Sequence, residues 1–293
     1  MYLKKGDTIG IVSPSRAIKQ EELKSAIEFL ENEGFKVELS GAIFEKDHQF
    51  AGTDEQRAQE IQSFINNKDI KGIWAARGGY GAVRIIDLID FEPLKSQFKW
   101  FIGYSDFTVF HAHLNRVLQI PSIHATMPIS IDEQADDSSQ ESLLSALRGD
   151  DLKYKIKTHP LHKEGDANGE LIGGNLSILY SLCGSASMPN MDGKILFIED
   201  LDEYLYHIDR MMMNLKRSGV FNQLEALIVG GMSDMNDNII PFGSTAEEII
   251  YNQCKDFDFP IYFGFDAGHL QPNLALRFGQ NAELKDNTLI LPA

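Results

Sequence analysis

The first half of the chain alternates short apolar runs with segments of helical period, and this alternation restricts the fold more than any single motif. Thr8-Ile9-Gly10-Ile11-Val12 reads as a buried strand, Ser13-Pro14-Ser15 as a turn, and Glu21 to Glu33 as an amphipathic helix closed by Gly34. Phe35 to Leu39 reads as a second strand. Asp54 to Asn67 has the helical period, with Thr53 placed to cap it, and Gly72 to Ala76 follows as a strand. A further apolar run, Trp100-Phe101-Ile102, leads into Gly103-Tyr104-Ser105-Asp106 and then a helical stretch from Phe107 to Leu118. Strands that alternate with helices predict an α/β unit whose sheet is mostly parallel, with helices on its faces.

The second half has another texture. Glu170 to Leu176, Lys194 to Ile198, Ala226 to Gly230 and Ile261 to Phe265 read as strands, with a helix from Tyr206 to Ser218 ended by Gly219. Short strands with few helices suggest a smaller, β-rich and barrel-like unit. A chain of 293 residues exceeds the usual size of one core, so two domains are expected. The polar, acidic run from Asp132 to Glu141 marks the change. It places an N-terminal domain at residues 1–132, a linker at 133–164 and a C-terminal domain at 165–293.

The serine turn carries the chemistry. A buried strand that ends in a glycine-hinged turn presents a hydroxyl at the sheet edge, but serine is a weak nucleophile without a base and an orienting acid. Glu199 stands at the end of the apolar run Phe197-Ile198, where a carboxylate is costly unless partnered. Asp200 and Glu203 are its neighbours and pose the same question. His269 follows Asp266-Ala267-Gly268, and a glycine before it lets the backbone turn sharply. Each residue alone has an ordinary structural reading; the three together suggest a Ser105, Glu199, His269 set in the order nucleophile, acid, base. That order is shared with α/β-hydrolases, yet Phe107 stands where G-x-S-x-G requires glycine.

Arg77-Gly78-Gly79-Tyr80-Gly81 follows the strand ending at Ala76. Parallel strands would bring this loop beside Ser105 at the carboxyl edge, where Gly79 and Asp106 could offer backbone N–H groups to an oxyanion. Arg77, Gly78, Tyr80 and Asn175 are candidate substrate contacts, the charge of Arg77 suiting either a substrate carboxylate or a structural ion pair. Neither a Walker loop nor a dinucleotide fingerprint is present. His111 and His113 are two apart on an expected helix and point to different faces, so a metal site is not indicated; no cofactor is expected.

A net charge of −16 would repel nucleic acid and anionic membrane surfaces, and no apolar run approaches the ~20 residues of a membrane helix. The N-terminus lacks a secretory pattern, so a cytoplasmic protein is expected. Cys183 and Cys254 have no C-x-x-C spacing and are expected to be buried thiols. Met211-Met212-Met213 fits a helix packed on the second core.

Several motifs together resemble a known family. Ala51-Gly52-Thr53 with Arg57, Arg77 to Gly81, Gly103 to Asp106, Gly173 to Leu176, Phe197 to Asp200 with Arg210, and Gly268-His269 are similar to the L,D-carboxypeptidase family of serine peptidases, which also contains microcin C self-immunity proteins. The resemblance spans nearly the whole chain. It implies a homodimeric cytoplasmic enzyme of peptidoglycan recycling that removes the terminal D-alanine from a murein tetrapeptide. It also implies a Ser105-His269-Glu199 triad, oxyanion donors at Gly79 and Asp106, and no metal. Two other readings are an amidase acting on aminoacyl-adenylate analogues, which would want an aromatic platform, and a non-catalytic binder of cell-wall peptides.

Overall fold

The computed structural model describes residues 2–131 and 137–293. Five strands from the first half form β1 (Thr8–Val12), β2 (Lys36–Leu39), β3 (Ile70–Ala75), β4 (Trp100–Gly103) and β5 (Ser122–His124). They pair in the order β5-β4-β3-β1-β2, all parallel. Helices α1 (Lys24–Asn32), α2 (Asp54–Asn66), the short α3 (Ala82–Ile85) and α4 (Thr108–His113) supply the crossovers. Thr53 caps α2 as its sequence suggests, accepting the Gln56 N–H at 3.2 Å. The central strands are apolar on both faces because helices cover both, and β4 is buried at every position.

The second sheet has seven strands and is curled. In chain order these are β6 (Leu152–Lys155), β7 (Ala167–Asn175), β8 (Lys194–Leu201), β9 (Ala226–Ser233), β10 (Ile261–Tyr262), then, after β11 (Leu276–Phe278), β12 (Gln280–Lys285) and β13 (Thr288–Leu291). Strands β7 to β10 run parallel, while β12, β13 and β6 close the sheet antiparallel. Helices α6 (Leu176–Leu182), α7 (Leu205–Arg217) and α8 (Ala246–Cys254) pack on it. Met211 and Met212 lie in this core, whereas Met213 is partly exposed.

Strand β11 joins the two sheets. It pairs antiparallel with β5, so residues of the C-terminal half form the edge of the N-terminal sheet before the chain returns as β12. Arg277 within it is fully buried, donating to the Asp150 carbonyl at 2.7 Å and the Leu291 carbonyl at 3.0 Å.

The segment expected to link two domains is structured where it is described. Part of the acidic run, Asp132 to Asp136, lies outside the described residues. Beyond it come α5 (Asp137–Arg148) and β6, and α5 buries Leu143, Ala146 and Leu147. An apolar stripe at Leu143, Ala146 and Leu147 has the spacing of a helix packed on a core, which the preceding acids obscure in the sequence. Among the described residues no helix is long and apolar enough to cross a membrane.

Candidate active site

Strand β4 ends at Gly103, Tyr104 is extended, and a 3-10 turn from Ser105 to Phe107 leads into α4. Ser105 itself has φ +64°, in the left-handed region that side chains other than glycine adopt at some cost. The strained strand-to-helix turn of a nucleophile elbow is thus present although Phe107 replaces its closing glycine. Close packing here falls on other glycines: a Cβ on Gly78 would come within 3.0 Å of the Ser105 side chain.

His269 Nε2 lies 3.1 Å from Ser105 Oγ, and its Nδ1 lies 2.7 Å from Glu199 Oε2. The same carboxylate oxygen accepts the His269 backbone N–H at 3.1 Å. An ionised carboxylate only accepts, so Nδ1 carries the ring proton and the Nε2 lone pair faces the serine hydroxyl. Burial pushes the His269 pKa down, but the hydrogen bond and charge of Glu199, with the charge of Asp200, outweigh it and leave the pKa raised. Glu203 contacts His207 instead, so the acid against the imidazole is Glu199.

Local structure explains each placement. The pairing of β8 with β9 shifts register between Ile198 and Asp200, and this irregularity allows two consecutive acids, Glu199 and Asp200, to be buried together. Burial and the neighbouring Glu199 raise the Asp200 pKa to about 7, and its carboxylate accepts from Asn175 Nδ2 at 2.8 Å and the Ser177 N–H at 2.9 Å. Gly268 has φ +105°, and a Cβ there would meet the Glu199 side chain at 2.6 Å. Its N–H donates to Asn273 Oδ1 at 2.8 Å, and the Asn273 N–H donates to Ser139 Oγ on α5 at 2.8 Å. The supposed linker therefore supports the histidine loop.

Asp106 has its carboxylate turned into the protein. It accepts from Ser15 Oγ at 2.5 Å and from the Ala82 N–H at 2.9 Å, and burial raises its pKa. Buried Arg57 donates to the Pro14 carbonyl at 2.6 Å and the Gly81 carbonyl at 3.0 Å and pairs with Asp54. Together they fasten the Ser13–Ser15 turn and the glycine loop beside the serine turn. Thr108 Oγ1 accepts the Asn175 N–H at 3.0 Å, tying the helix after Ser105 to the end of β7.

A cleft of about 580 Å³ opens between the sheets, lined by Gly78, Gly79, Ser105, Asp106, Asn175 and His269. Arg77 lines it too, with Nη1 donating to the Ala17 carbonyl at 3.1 Å. Tyr80 does not: it is exposed and packs beside Phe50, 6.0 Å between rings, because Gly79 and Gly81 turn the chain away on either side of it. Asn175 spends its side chain on Asp200 and on capping α6 through the Ile178 N–H, so its polar atoms brace the cleft wall. Sequence reasoning missed Arg16, Ser177 and Asp202, all of which line the cleft, and the Tyr104 ring, 4.9 Å from that of His269. Arg16 directly follows the Ser13–Ser15 turn at the carboxyl end of β1, where an α/β sheet places its ligands, and that position was its only signal.

The remaining histidines and cysteines have other surroundings. His111 Nε2 donates to the Gly103 carbonyl at 2.9 Å while Nδ1 accepts from Ser122 Oγ at 2.7 Å, and burial holds its pKa down to about 4. Among the described residues no group of His, Cys, Asp or Glu is disposed to hold a metal ion. Cys254 is buried and Cys183 half-buried, and burial raises both thiol pKa values.

Comparison with known proteins matches residues 9–125 to the LD-carboxypeptidase N-terminal domain and residues 168–284 to the LD-carboxypeptidase C-terminal domain. A probable murein peptide carboxypeptidase of Bacillus subtilis is 31% identical, covering 99% of this chain and 93% of its own. The microcin C7 self-immunity protein of Escherichia coli is 29% identical over 94% of this chain and 89% of its own. The crystal structure of muramoyltetrapeptide carboxypeptidase from Oxalobacter formigenes superposes with a TM-score of 0.89 at 27% identity, covering 98% of this chain and 99% of that one.

Proposed function

Because the chain belongs to the LD-carboxypeptidase family and is a serine-type carboxypeptidase, we propose that it removes the terminal D-alanine of murein tetrapeptide through Ser105, His269 and Glu199. The observation that carries the reading is the continuous contact from Ser105 Oγ through the imidazole to Glu199, at 3.1 and 2.7 Å. In this mechanism Ser105 Oγ attacks the scissile carbonyl carbon as its proton passes to His269 Nε2. Glu199 holds the Nδ1–H tautomer and stabilises the imidazolium. The oxygen that gains charge is received by the backbone N–H groups of Gly79 and Asp106. The C–N bond then breaks, His269 returns the proton to the leaving D-alanine amine, and an ester to Ser105 remains. Water, deprotonated by His269, hydrolyses that ester and frees the tripeptide.

Ser105 follows a strand of the first sheet and Glu199 lies on a strand of the second, so the site forms only where the two sheets meet. The family likeness further supports a cytoplasmic homodimer serving peptidoglycan recycling. Against the aminoacyl-adenylate reading stands the burial of both tryptophans: Trp74 and Trp100 are 1% and 0% exposed and offer no platform to a nucleobase. The test incubates purified protein with the tetrapeptide and, separately, with an aminoacyl sulfamoyl adenosine, and identifies products by mass spectrometry. Tripeptide plus D-alanine is the expected outcome; cleavage of the nucleoside alone, or binding of peptide without product, would overturn the proposal.

A further inference from the structure

The catalytic cleft does not end at the glycine loop. Arg16 and Arg77 line both the cleft and a second hollow of about 660 Å³, whose other walls include Lys19, Lys46 and His48. The charge there opposes that of the protein, which carries −16 overall. Glu22 is the carboxylate of that wall, and it is engaged locally, accepting the Lys19 N–H at 2.7 Å. Lys19 approaches Glu21 at 3.9 Å and His48 approaches Asp47 at 3.8 Å, all on exposed side chains where such pairs are weak. Among the described residues neither Arg16, Arg77 nor Lys46 is within ion-pair distance of a carboxylate. Unneutralised cations gathered in a concave wall of an acidic protein focus potential toward an anion.

The position of the hollow decides which part of a substrate can reach it. A carboxypeptidase releases a single residue, so only the acyl side is long enough to leave the cleft past Arg16 and Arg77. We propose that this hollow is a substrate subsite for an anionic group on the acyl side of the peptide, a carboxylate or a phosphate, held by Lys19 and Lys46 with Arg16 at the junction. The proposal rests on the peptidase reading above; its charge argument does not.

Lys19 and Lys46 line the hollow and not the cleft, which makes Lys19→Gln/Lys46→Gln a clean variant. Inorganic pyrophosphate, titrated calorimetrically into wild type and variant of matched thermal stability, tests the hollow without any peptide. Saturable binding weakened about tenfold or more in the variant is expected. No saturable binding by wild type, or equal binding by both, overturns the proposal. Turnover then separates the sources, using a tetrapeptide with a free acyl-side carboxylate, its amide, and the amide joined to a nucleoside diphosphate. A KM lower by about tenfold for one anionic form, with kcat unchanged and the advantage lost in the variant, identifies that group. Equal KM for all three shows the hollow is no substrate subsite and overturns the proposal. If wild type cleaves none of them while pyrophosphate still binds through Lys19 and Lys46, the peptidase reading falls and the anion site stands.

Discussion

At the scale of single residues, the Glu199 carboxylate 2.7 Å from the His269 ring holds the histidine pKa above its ordinary value. His269 accepts a proton only when neutral, so activity is lost as pH falls through a pKa lying above the ordinary value of about 6.5. Glu199→Gln removes the stabilising charge. Its kcat/KM–pH profile should therefore shift its acidic limb downward while the plateau drops by on the order of 10² to 10⁴; an unmoved limb would detach Glu199 from the ring. The linked stability has the opposite sense: a raised pKa makes the His269–Glu199 pair stabilising below pH about 6.5, and that contribution is lost as pH rises through the folded value. Ser105 gives a second test, because its φ of +64° suits glycine. Ser105→Gly should be inactive yet equal to or more stable than Ser105→Ala by about 1 kcal/mol in chemical denaturation, and a less stable glycine variant would refute strain at the turn. Ser105, Glu199 and His269 were legible because each follows an apolar run or a glycine hinge. The outward direction of the Tyr80 side chain was not, since a motif names a residue without saying where its side chain points.

Among the elements, α5 changes the account most. Its sequence begins in acids and reads as a link, but its buried face supplies Ser139 and Ser142, which accept the Asn273 N–H at 2.8 Å and the Ala275 N–H at 3.0 Å. These bonds support the loop that aims His269. Ser139→Ala should cost about 1 kcal/mol of stability and lower kcat more than it raises KM; an effect on stability alone would make α5 a bystander to the histidine. Strands β1, β3 and β4 of the first sheet were readable as apolar runs and β2 as an alternating one, whereas the three-residue β5 and β11 to β13 were not. They are three to six residues long and include buried Arg277, whose role depends on carbonyls of Asp150 and Leu291 distant in sequence. Helix α8 did carry a signal, the capping box of Thr245 and Glu248, which the surrounding polar loop concealed.

For the whole molecule, two sheets form one catalytic cleft because the chain crosses between them. Strand β11 completes the first sheet at β5, and Asn175 of the second bonds Thr108 behind the serine turn. A fragment of residues 1–150 would expose the β5 edge and lose the strand carrying Arg277; it should aggregate or remain partly unfolded, as judged by circular dichroism and size-exclusion chromatography. A stable monomeric fragment would show that β11 is dispensable. The alternation of strands and helices foretold the first sheet, and the ordering of serine, acid and base foretold which residues face one another. The interleaving of the sheets was out of reach, because pairing between segments as distant as Ser122–His124 and Leu276–Phe278 leaves no periodic trace. The central claim is that Ser105 supplies the nucleophile at this junction, and the most direct test is the kcat/KM for D-alanine release by folded Ser105→Ala beside wild type. A fall on the order of 10³ or more is predicted, and a variant within about tenfold of wild type would contradict the account.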